Sequence, residues 1–94
     1  MLDRCAECDR PIDRFAESNW WQQGGLTHCQ VCPSPLNAFA DSILDSLAQR
    51  FQCDRASQIS SAIVGDYLVG LYDNGKLTGR EMLATYYRHA SRIN

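Results

Sequence analysis

From Ser34 onward the apolar residues of the chain recur at three- and four-residue intervals, whereas the stretch before it carries no such stripe. This change of pattern divides the sequence into residues 1–34 and 35–94. The first helix is predicted over about Pro35 to Phe51, with Leu36, Phe39, Ala40, Ile43, Leu44, Leu47, Ala48 and Phe51 on one face. Ser34 is placed to cap it, and Pro35 suits its first position because proline's missing amide hydrogen would have had no partner there. A second helix is expected from about Ala56 to Asp73, with Ile59, Ala62, Ile63, Tyr67, Leu68, Leu71 and Tyr72 as its stripe; Asn74 and Gly75 supply a left-handed stop. Thr78 and Glu81 have the spacing of a capping box, so a third helix is predicted to start there and run through Met82, Leu83, Tyr86, Tyr87 and Ala90 toward Ile93.

Residues 1–34 hold the chemistry. The chain has 94 residues and five cysteines, and Cys5, Cys8, Cys29 and Cys32 form two CxxC pairs separated by twenty residues. Each two-residue spacer lets one tight turn aim both thiolates at a single ion, and two such turns complete a tetrahedron. Few large apolar groups are available here to offset the ordering of the segment, so one structural zinc ion per chain is expected to organise it, and metal removal to unfold it. Four cysteines leave no open coordination position for substrate. His28, beside Cys29, is the weaker alternative ligand; a redox pair and an iron–sulfur cluster are the rival uses of the cysteines. Gln22 to Gly25 read as the turn of a hairpin, which would put Trp20 and Trp21 on opposite faces of a strand, one inward and the other exposed as a protein-binding residue.

The run CAECDRPI, a tryptophan and a glycine, then CQVC leading into a helix, resembles a treble-clef zinc finger. It is similar to the fingers of GATA-type transcription factors and of the DksA/TraR family, whose first pair is followed by an isoleucine as Ile12 follows here. The resemblance implies a knuckle, a hairpin and a second cysteine pair near a helix start, over about residues 5 to 50. Pro33 and Pro35 follow the second pair, which leaves a zinc ribbon as the alternative. The fold class expected is therefore a small α+β zinc-binding domain, an N-terminal zinc finger (knuckle plus β-hairpin) followed by three α-helices.

Charge narrows the partners. Residues 1–33 carry Arg4, Arg10 and Arg14 against Asp3, Glu7, Asp9, Asp13 and Glu17, and four thiolates on a divalent ion add further negative charge, a poor match for phosphate. The other end is basic: Lys76, Arg80, Arg88 and Arg92 oppose only Glu81, making this helix the candidate nucleic-acid reader. Cations near a helix C-terminus also complement its dipole, the simpler explanation. The segment Asp73 to Glu81 looks like part of a calcium loop, but its first and third ligand positions would be Gly70 and Tyr72, so calcium is rejected. Cys53, outside the two pairs, is expected to be a small packed side chain. No catalytic combination of His, Asp, Glu and Ser stands out. The sequence thus predicts a cytoplasmic, non-catalytic regulator or adaptor that binds another protein, with the transcription machinery as the partner the resemblance suggests. A DNA-binding transcriptional regulator is the alternative. Membrane association is not expected, and the long stripe of the first helix could serve as a homodimer seam.

Overall fold

The structure is a computed structural model that describes residues 3–30 and 32–93, with side chains described for all of these except Arg92 and Ile93. It is a small α+β fold of two antiparallel hairpins and three helices. β1 (Asp3–Arg4) pairs with β2 (Pro11–Ile12), and β3 (Trp20–Gln23) pairs with β4 (Leu26–Cys29). The second hairpin turns on Gly24 and Gly25, at φ 60° and 79°, the left-handed pair that matches the twist of two strands joined by two residues. Its register sets Trp20 opposite Cys29 and Trp21 opposite His28.

The helices are α1 (Pro35–Arg50), α2 (Ser61–Asp73) and α3 (Gly79–Ile93). Their local signals hold. Ser34 Oγ accepts from the Asn37 amide, with Pro35 in the first turn of α1. At the start of α3 the Thr78 amide donates to Glu81 Oε1 at 2.9 Å and the Glu81 amide to Thr78 Oγ1 at 3.1 Å, the reciprocal capping box. Gly75, at φ 72°, closes α2: its amide and that of Lys76 donate to the carbonyls of Tyr72 and Leu71.

The start of the second helix differs from expectation. Ala56–Gln58 form a 3₁₀ turn, and α2 begins only at Ser61, capped by Ser60. His89, fully buried on α3, brings Nε2 to 3.0 Å from the Ala56 carbonyl, which also accepts from the Ile59 amide, and to 2.9 Å from the Ile59 carbonyl, so a contact from α3 holds the break together with the Ser60 cap.

The described residues form two cores. Leu44, Leu47, Ala48, Ala56, Ile59, Val64, Leu68 and Leu77 form the helical one, and Cys5, Ile12, Cys29 and Cys32, covered by Trp20, form the other. Helix α3 joins them, touching α1, α2, the 3₁₀ turn and β3. Trp21 stacks on His28 across the hairpin (centroids 4.3 Å apart) and on Tyr87 of α3 (6.1 Å). Two arginines of α3 add ionic clasps: Arg80 binds Glu7, inside the first CxxC, and Arg88 binds both Asp41 of α1 and the Gln30 carbonyl, inside the second.

Candidate metal centre

The backbone of each CxxC turn is folded to gather sulfur. In the first, the Asp9 amide donates to the Cys5 carbonyl at 2.9 Å and the Cys5 amide to that of Arg10 at 2.9 Å, which forces Asp9 to φ 61°. The second follows directly from β4 and ends two residues before the Ser34 cap, so Cys32 lies just ahead of α1 rather than on it. The Sγ atoms of Cys5, Cys8 and Cys32 lie within 4.8 Å of one another, those of Cys5 and Cys32 being 3.9 Å apart. A tetrahedral ion held at about 2.3 Å by thiolates would set its ligands roughly 3.8 Å apart, so this spacing fits zinc. The Cys29 sulfur is not part of that group of three; Cys29 is buried beside it, its amide donating to Cys5 Sγ at 3.3 Å and its sulfur accepting from Arg10 Nη2 at 3.6 Å. Three to four close cysteines can thus hold a metal ion.

N–H donors surround the sulfurs. Cys5 Sγ also accepts from the Glu7 amide at 3.4 Å, and Cys32 Sγ from Asn37 Nδ2 at 3.3 Å. Asn37, buried in the first turn of α1, further donates to the carbonyls of Cys29 (3.2 Å) and Cys32 (2.8 Å), so one amide braces the second turn and softens the charge on its thiolate. Burial pushes the Cys5 thiol up, but hydrogen bonds from the Cys29 and Cys8 amides and the neighbouring thiols outweigh it and leave the group below its ordinary pKa. Burial pushes Cys32 up to about 12, opposed by Ser34 and reinforced by the charge of Cys5. Where negative charge would accumulate without a cation, the thiols separate into one that ionises readily and one that resists.

Around the cluster, Arg10 has its pKa raised by hydrogen bonding to Glu17 and Cys29. Its Nη1 donates to Glu17 Oε1 at 2.8 Å while Nη2 reaches the Cys29 sulfur. Glu17 Oε2 in turn accepts from the Asp13 amide at 2.9 Å, and the Glu17 carbonyl accepts from Trp20 Nε1 at 2.7 Å. These bonds fix the turn Asp13–Glu17, at whose tip Phe15 is 96% exposed. Arg10, Glu17, Asn37 and the exposed Phe15 were not singled out by sequence patterns, since their roles rest on residues far from them in the chain.

The other predicted residues are placed as follows. Trp21 is buried between His28 and Tyr87, so it offers no face to a partner, and Trp20 is half-buried against the cysteines. His28 is buried, which lowers its pKa and keeps the imidazole neutral beneath Trp21; its Nδ1 faces Glu7 Oε1 at 3.5 Å. Arg80 and Arg88 are engaged in the clasps described above, whereas Lys76 is exposed. The side chain of Arg92 lies outside the described ones. Cys53 is half-buried against the helical core, its Sγ 3.5 Å from the Phe51 carbonyl. No described helix is long and apolar enough to cross a membrane.

Fold and site together define a class: a small α+β chain whose N-terminal cysteine cluster can hold a metal ion. Comparison with protein families, with curated proteins and with solved structures gives no significant match.

Proposed function

We propose that the chain is a non-catalytic adaptor or regulator whose single structural zinc, held by Cys5, Cys8, Cys29 and Cys32, rigidifies a protein-contact element. The observation that carries this reading is the bridge made by Arg10, which ties the Cys29 sulfur at 3.6 Å to Glu17 at 2.8 Å and so couples the cysteine cluster to the turn that holds Phe15 out. The turn that carries the 96% exposed phenyl ring is closed by its own hydrogen bonds, so its backbone has little entropy left to lose when the ring inserts into a partner. With four thiolates in the shell, the ion has no open position for chemistry and acts on the fold alone. The basic-helix alternative is not favoured, because Arg80 and Arg88 already have carboxylate partners within the chain.

The test is elemental analysis of protein purified without added metal, followed by amide NMR of residues 13–17 before and after a strong chelator. About one zinc per chain, with those amides collapsing to disordered shifts on its removal, is the expected result. A metal-free chain with an unchanged Phe15 turn, or one loaded with iron, overturns it.

A further inference from the structure

The cysteines of the two CxxC turns are not equally open to solvent. Cys5, Cys29 and Cys32 are 3%, 2% and 6% exposed, whereas Cys8 is an exposed residue. Its sulfur still belongs to the cluster, lying within 4.8 Å of those of Cys5 and Cys32. The first turn explains the contrast. Cys5 is held against β4, because the next amide, that of Ala6, donates to the Thr27 carbonyl at 2.8 Å. Cys8 and Asp9 stand at the exposed end of the turn, before the left-handed Asp9 brings the chain back toward β2.

The chemistry of the buried sulfurs is also damped. The Glu7 and Cys29 amides donate to Cys5 Sγ, Asn37 Nδ2 to Cys32 Sγ and Arg10 Nη2 to Cys29 Sγ. Such bonds stabilise a thiolate and lower its tendency to attack. The carboxylates on either side of Cys8 are both held by arginines: Glu7 by Arg80, and Asp9 by Arg4, whose Nη1 lies 3.7 Å from Asp9 Oδ2 and donates to the Asp9 carbonyl at 3.0 Å. Neither flank therefore sets an uncompensated anion against a Cys8 thiolate. Reactivity of a cysteine follows thiolate character and access, and buried structural cysteines are inert.

We propose that Cys8 is the reactive thiolate of the centre, a modification site for soft carbon electrophiles from which release of the metal begins. This rests on the reading that the cysteines hold a zinc ion, and deepens it. With a haloacetamide, the Cys8 sulfur attacks the carbon bearing the halogen, a sulfur–carbon bond forms, and halide leaves with the electron pair. With an enone, the pair moves to the α-carbon, which takes a proton from water. Either product is an uncharged thioether, no longer the thiolate that ligates zinc. On the reading above, loss of the ion frees the turn that carries Phe15, so an adduct at Cys8 switches the contact off.

The test uses the full chain with its zinc, treated with a small excess of iodoacetamide while a chromophoric indicator follows the free ion and peptide mapping by mass spectrometry follows each cysteine. Cys8 should be labelled at least about tenfold faster than Cys5, Cys29 and Cys32, and the ion should appear at the rate of Cys8 labelling. Cys53, half-buried and outside the cluster, is mapped separately, and its labelling should release no metal. Cys8→His offers nitrogen in place of sulfur, and its zinc should be released by the reagent more than about tenfold more slowly; should that variant bind no zinc, the wild-type map decides alone. First labelling at Cys5, Cys29 or Cys32, equal labelling of the four, or metal release that runs ahead of Cys8 labelling each overturns the proposal. Zinc content before treatment separates the two readings: a zinc-loaded chain that reacts elsewhere overturns the role of Cys8 alone, whereas a zinc-free chain overturns the reading beneath it.

Discussion

Arg88 of α3 grips Asp41 of α1 through two parallel hydrogen bonds, Nε to Oδ1 and Nη2 to Oδ2, each 3.1 Å long. The third arm of the same guanidinium donates to the carbonyl of Gln30, between Cys29 and Cys32. One side chain therefore joins two helices and a cysteine turn, and the joint is partly buried, with Arg88 18% and Asp41 33% exposed at the side chain.

Replacing Arg88 by alanine is expected to destabilise the metal-loaded protein by about 1.5 to 3 kcal/mol, the usual range for charged hydrogen bonds at such exposure. Arg88→Lys should recover less than half of that, because an ammonium group cannot make the forked pairing and the carbonyl contact together. Urea denaturation of the three proteins measures the difference, and the alanine variant should also lose metal to a chelator faster.

Asn37 offers a sharper test of the second cysteine turn. Asn37→Ala removes donors to two carbonyls and one sulfur and should cost about 1 to 3 kcal/mol. Asn37→Asp is nearly the same shape but places an anion 3.3 Å from the Cys32 sulfur, so it should weaken metal binding more than the alanine change does. Competition against a chromophoric chelator would show the order, and an aspartate variant that binds as well as wild type would contradict the placement of the amide.

Metal loading should release protons. A thiol pushed up to about 12, as Cys32 is, remains protonated at neutral pH until a cation displaces its proton. Affinity is therefore expected to fall as pH falls, since protons compete for the sulfurs. Calorimetry in buffers of different ionisation enthalpy should count at least one proton released per ion bound at neutral pH.

Gln52 ends α1 in the left-handed region, at φ 55°, where its amide and that of Cys53 donate to the carbonyls of Gln49 and Ala48. A side chain there is strained and glycine is not, so Gln52→Gly is expected to stabilise the chain by about 0.5 to 1 kcal/mol, visible as a raised melting temperature. No metal-binding property should change.

Where the signal is local, the sequence reads well. The Ser34 and Pro35 start, the Thr78 and Glu81 box and the Asn74 and Gly75 stop each depend on atoms within a few residues, and each appears in the structure. The apolar stripes were less dependable. Phe39 and Phe51 of the α1 stripe are 38% and 43% exposed, and Ile63 and Tyr72 of the α2 stripe 45% and 46%; α2 is apolar almost all round, so its period does not choose a face. The break at Ile59 was only partly legible: Ser60 offers a local cap, but the Ile59 carbonyl is also held by His89, thirty residues further along the chain.

By itself the sequence marked out the cysteines, three of which the structure brings together, because turn chemistry within each CxxC is local, and it determined where α1 and α3 cap. Only the tertiary structure decided which charges and aromatic rings remain available. Arg80 and Arg88 are drawn into the joint between the two halves, Trp21 is covered by Tyr87, and Phe15 is held outward by an arginine that also touches the cysteine cluster. Exposure and pairing are properties of the packed chain, set by which distant surfaces meet, and no local pattern encodes them.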